Sequence, residues 1–147
     1  MKRKLERNFK LKDVYEYLRV DLTLYHPGTP WGNLVMVEHE NDICGFEDEI
    51  EKLMSVLAPL KVGITYGNAR QEEELLKLIR DSFENRHPEI LENPKTEYLF
   101  LLGVDEPDRV TWKYLLFTTQ DGPSREQFEA VENATLVGRV GGPSFSS

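Results

Sequence analysis

The chain has 147 residues, 39% of them hydrophobic and 10% aromatic, which is enough for one ordinary core and excludes a disordered chain. Its single cysteine, Cys44, excludes an internal disulfide and fits a reducing compartment. The net charge of −8 is uneven: residues 1–12 hold six Lys or Arg and one Glu, and the rest holds 12 basic and 25 acidic residues, which disfavours tight, unaided binding to nucleic-acid phosphates.

Residues 1–13, beginning MKRKLERNFKLK, read as a basic arm that no long apolar region follows, so no secretory signal is expected. No apolar run approaches the roughly 20 residues of a membrane span, and a cytoplasmic protein is expected. The next element, VYEYLRVDLTLYH (14–26), alternates at period two. Leu18, Val20, Leu22 and Leu24 fall on one face, and Tyr17, Arg19, Asp21, Thr23 and Tyr25 on the other, which predicts one strand. The turn-rich PGTPWGN leads into a second strand, LVMVEHE (34–40), and so short a connection predicts an antiparallel hairpin.

From Phe46 the period changes. Phe46, Ile50, Leu53, Met54 and Leu57 lie at helical spacing behind an acidic first turn, which predicts a helix over 46–58 that Pro59 ends. KVGITYG (61–67) predicts a short strand, and QEEELLKLIRDSFEN (71–85) a second amphipathic helix with Leu75, Leu76, Ile79 and Phe83 inward. EYLFLLGV (97–104) is nearly continuous in apolar residues, as in a strand covered on both faces, and WKYLLFTT (112–119) is another strand. SREQFEAVEN (124–133) reads as a short helix capped by Ser124, and 136–147 as a flexible tail. Strands alternating with helices predict one α/β domain over 14–135, a mixed β-sheet with helices on its faces.

The second strand ends oddly for a buried element. On a strand, residues i and i+2 share a face, about 6.6 Å apart, so Glu38 and Glu40 point the same way while His39 points the other. Asp21 sits on the polar face of the preceding strand, and hairpin pairing brings all three carboxylates to one side. Clustered carboxylates repel unless a hard cation such as Mg²⁺ sits among them, and the chemistry that commonly needs such a site is phosphodiester hydrolysis. Acids on an exposed strand face are also commonplace, and two glutamates two residues apart are a weak signal alone. The histidines 26, 39 and 87 have no zinc-ligand spacing with Cys44, and the glycine-containing turns lack the context of a phosphate loop. Trp31 and Trp112 read as core or rim residues more readily than as base-stacking ones, whereas Tyr17 and Tyr25 share the Asp21 face.

Asp21, then Glu38-His39-Glu40 on the next strand, then a helix and another strand, resembles the PD-(D/E)XK nuclease superfamily over roughly residues 14–105. Glu40 stands where that motif has its lysine. The stretch VEHEN…EIEKL…PLKVGITY is further similar to bacterial and archaeal members in which a lysine on the following helix replaces the missing one. The resemblance implies a restriction endonuclease-like mixed sheet flanked by helices. It implies Asp21 and Glu38 as ligands of Mg²⁺ or Mn²⁺, and Glu40 as a third ligand or as the base that orients water. It implies Lys52 as the migrated lysine, with Lys61 the competing choice, and DNA as the substrate. Lys52 is equally explained as a solvated lysine paired with Asp48 or Glu49. Two functions remain open: a metal-dependent nuclease, or a member without catalysis that serves as a protein-interaction or assembly subunit. A homodimer or larger assembly is compatible with either.

Overall fold

The structure, a computed structural model, describes residues 12–17, 20–28, 32–85, 93–123 and 127–131. The basic residues 1–11, Ser124 and the tail 136–147 lie outside them. Among the described residues, seven strands form one sheet whose spatial order is the order of the chain. They are β1 (Lys12–Tyr17), β2 (Val20–Tyr25), β3 (Asn33–Glu40), β4 (Leu60–Gly67), β5 (Glu97–Glu106), β6 (Arg109–Thr118) and β7 (Glu129–Ala130). The pairs β1–β2, β2–β3, β5–β6 and β6–β7 are antiparallel, and β3–β4 and β4–β5 are parallel. Helices α1 (Phe46–Ser55) and α2 (Gln71–Glu84) make the two parallel crossovers.

The hairpin joining β2 to β3 forms as its short, turn-rich connection predicts. The single strand expected over 14–26 is two strands, with Tyr17 pairing to Val20. The sequence between Tyr17 and Val20 holds no Gly, Pro or Asn, so the alternation runs on without a visible break. The helix expected over 46–58 stops at Ser55, and Val56 is already extended. Pro59 disfavours helical geometry at Ala58, and the chain straightens ahead of it. The C-terminal helix expected over 124–133 is corrected: its described part, residues 127–131, is not helical, with Glu129 and Ala130 paired to β6 and Val131 N–H donating to the Trp112 carbonyl. Phe128, 4% exposed, joins the core there, and the edge of β6 gains the backbone partners that a helix could not supply.

A second correction concerns the layers. Phe46 of α1 meets Phe100 edge-on, and Phe83 of α2 meets Tyr98 and Phe117 edge-on. Those three partners share one sheet face: Tyr98 pairs with Phe117, and Phe100 lies two residues from Tyr98. Both described helices therefore cover the same face, not one each. Strand order explains it. The step from β3 to β4 to β5 always moves in one direction, and right-handed crossovers then place successive helices on the same side. The core lies between this face and the helices, with Met36, Ile50, Leu53, Leu75, Ile79 and Leu102 fully buried. On the opposite face, Leu99 and Leu101 of the apolar β5 are only half-buried.

Candidate active site

The β2–β3 register pairs Leu22 with Val37 and Thr23 with Met36, so one step further Asp21 faces Glu38 on the helix side of the sheet. The backbone ladder ends at Leu22–Val37, while β3 runs on to Glu40. The Asp21 side chain takes over there as acceptor: the His39 N–H donates to its Oδ2 at 2.8 Å. Asp21 itself is exposed, so it marks the solvent side of the pair.

Glu38 is the opposite case. It is 0% exposed, on a strand position that otherwise points into the core beside Met36. No described donor reaches its carboxyl oxygens, and its own partner is the Glu49 carboxylate, to which a protonated Glu38 donates. An ionised carboxylate in such a place costs several kcal/mol, in rough terms, unless something pairs with it. Burial, with the neighbouring Glu49 carboxylate and Asp21 adding to it, pushes the Glu38 carboxyl up to about 9, so it is protonated at neutral pH as it stands. Across from it in register is Gly63 of β4. A Cβ there would lie 2.7 Å from the Phe100 ring and 2.8 Å from the Phe46 ring, so the missing side chain lets α1 seat directly over Glu38.

Helix α1 brings two charged groups down onto Glu38. Glu49 falls in the helix's buried stripe with Phe46, Ile50, Leu53 and Met54. Lys52, one turn on, donates to both Glu49 oxygens at 2.9 Å. Burial alone would raise Glu49, but coupling to the Glu38 carboxyl and to Lys52 outweighs it and holds Glu49 below the usual carboxylate range. The same bond to Glu49 raises Lys52 against the opposing effect of its burial, and the Glu38, Glu49 and Asp21 carboxylates add to it once ionised. Lys52 is thus the cation of a cluster of three acids.

The remaining expected residues are elsewhere. Glu40 shares the strand face of Glu38, but its carboxylate turns into the bend that leads to α1. There it accepts from the N–H of Asn41 at 2.7 Å and of Asp42 at 3.4 Å, and lies against Gly45. Asp42 continues that turn by accepting the Cys44 N–H at 3.1 Å. Lys61 is 1% exposed in the row of Met36 and donates to the Tyr98 hydroxyl at 3.0 Å. Of the two lysines, Lys52 is the one that meets the acids. His39 points to the other face, as expected, where its ring meets Tyr66 edge-on. Trp112 follows in the same row, edge-on to Tyr66 on its other side, and Tyr66 occupies the space over Gly103. Cys44 is a free, exposed thiol.

Glu49 is the site residue that the strand pattern does not reveal. Its signal is on the helix: an acid inside an apolar stripe, three residues after Phe46 and next to Ile50, where solvation offers no reason for a charge. With the side chains as they stand, no three His, Cys, Asp or Glu residues among the described ones are arranged to hold a metal ion. Comparison of the chain with models of known families, with curated proteins and with solved structures finds no match.

Proposed function

We propose that this chain is a divalent-cation-dependent nuclease-like hydrolase that acts on phosphodiester bonds, with DNA as its substrate. The observation that carries the reading is Glu38: a fully buried carboxyl that faces Asp21 across the hairpin, hydrogen-bonds to Glu49 and is roofed by the Lys52-bearing helix. A hard cation fits that donor set, since it prefers carboxylate oxygens and neutralises the repulsion that now keeps Glu38 protonated. Asp21 and Glu38 would hold the ion. When bound, Mg²⁺ or Mn²⁺ supplies Lewis acidity at a phosphoryl oxygen and water acidic enough to attack at neutral pH. The chain's own residues orient the rest. The His39 amide fixes Asp21, α1 excludes water from Glu38, and Lys52, 39% exposed, reaches the solvent side, where a phosphate would approach.

The test is calorimetric titration of Mn²⁺ into the wild type, Asp21→Ala and Glu38→Ala, with a supercoiled-plasmid nicking assay on the same samples. The expected result is saturable binding that either substitution weakens by roughly tenfold or more, and nicking that needs the metal and both acids. A wild type that takes up no Mn²⁺ would end the reading.

One observation favours the other reading, an assembly subunit without catalysis. The sheet face away from the helices carries apolar side chains that stay partly exposed, among them Val110 at 40% and Leu116 at 38%. Metal-independent self-association with no nicking would be its signature.

A further inference from the structure

The sheet face away from the helices is nearly unbroken in apolar side chains. Across the strands, Val37 pairs with Val62, Val62 with Leu99 and Leu99 with Leu116, and the next row runs from Ile64 to Leu101 to Tyr114. Both described helices lie on the other side, and here Ile64, Leu99 and Leu101 stay half-buried while Leu116 is exposed. A contiguous apolar face of that extent marks an interaction surface. Its border is acidic. Glu97, Asp105 and Glu129 stand at positions of this face and are exposed, and no Lys or Arg stands at an open-face position of β2–β7.

Charge separates the occupants at hand. A second copy would set one acidic border against another. Residues 132–147 carry one Glu and one Arg, so they offer that border no net charge. Residues 1–11 carry five Lys or Arg against one Glu, and Met1, Leu5, Phe9 and Leu11 among them are apolar. At a period of two, those four share one side, and Lys2, Lys4 and Lys10 take the other. The segment joins β1 at Lys12, beside Tyr25, at the end of the sheet where Val35 and Glu97 stand. From β1 to β6 is five strand spacings, about 24 Å, and eleven extended residues reach up to about 36 Å.

We propose that residues 1–11 of the same chain lie across this face and cover it, with Leu5, Phe9 and Leu11 on the apolar rows and the basic side chains toward the acidic border. The arm is then a built-in cover, which a second copy or another apolar partner has to displace. The proposal is independent of the reading of Glu38.

A nitroxide on the full-length chain tests it, attached at Asn8→Cys with Cys44→Ser removing the native thiol. On an isotope-labelled chain that carries the nitroxide itself, the amide resonances of Val62, Ile64, Leu99 and Leu101 are expected to broaden relative to the reduced label, and those of α1 and α2 to stay sharper. Adding Phe9→Asp is expected to abolish that broadening and to raise the fluorescence of an added apolar dye several-fold. Open-face amides that stay sharp with the label at Asn8→Cys, and again at Lys4→Cys, would overturn the proposal. So would broadening confined to mixtures in which the nitroxide and the isotope sit on different chains, because the occupant is then a second copy. Broadening that survives Phe9→Asp would overturn the apolar seat.

Discussion

Glu38, coupled to Glu49, dominates the energetics of the site. A carboxyl raised to about 9 in the fold, from an ordinary value near 4.5, keeps a proton that the unfolded chain has already released. Between those two values the unfolded state binds fewer protons, so stability falls as pH rises, and the contribution is fully present only below about pH 4.5. Glu49, held low, acts in the opposite sense, but only in the acid range below its ordinary value. Glu38→Gln stays neutral at every pH. Its melting temperature is expected to match the wild type near pH 4.5 and to exceed it by several degrees at pH 8, a gain of about 1–2 kcal/mol, well under the ceiling of about 1.4 kcal/mol per pH unit. Thermal melts across that range check it; a wild-type advantage at pH 8 would refute the buried-acid account. At this scale the sequence was partly legible. Period two places Asp21 and Glu38 on one face, and the hairpin register pairs them. The strand period cannot tell that Glu40 bends back to its own turn, because that depends on where the Asn41 and Asp42 amides point.

Helix α1 owes its seat to what β4 lacks. Gly63 leaves room for the Phe46 and Phe100 rings, which meet at 5.9 Å and 80° above it. Gly63→Ala must push both rings or lift the helix, with an expected cost of about 1–3 kcal/mol in chemical denaturation and a parallel loss of Mn²⁺ affinity as Glu49 moves off Glu38. Unchanged stability would mean that the helix rides higher than described. The elements themselves were legible where periodicity and turn chemistry agree, as for α1, α2, β4 and β5. They were not where no Gly, Pro or Asn separates two strands, between Tyr17 and Val20, or where an edge strand recruits a short segment that looks helical by itself, at 129–130. Both misreadings have one cause: long-range pairing overrides a local pattern.

Across the whole molecule, the alternation of predicted strands and helices indicated a mixed α/β sheet but not that both described helices share a face. That followed only from strand order and crossover handedness, neither of which is written in residue types. The consequence is a second face whose aromatic row, His39, Tyr66 and Trp112, ends beside the same strand tip that carries Glu38 on the other side. If that face joins two copies, Leu116→Lys should abolish concentration-dependent association in sedimentation velocity while leaving Mn²⁺ binding within about twofold; association that survives the charge points to another surface.

A sheet whose strands are stacked in the order they are made has a biographical property. Asp21, Glu38, Glu49 and Lys52 all fall within a span of residues 21–52, and β4, which completes the floor beneath them, ends at Gly67. No later strand inserts between these elements. A chain emerging from the ribosome therefore has every site residue and its immediate floor before the second half of its sheet is translated, and β5 to β7 are added afterwards to an edge already laid.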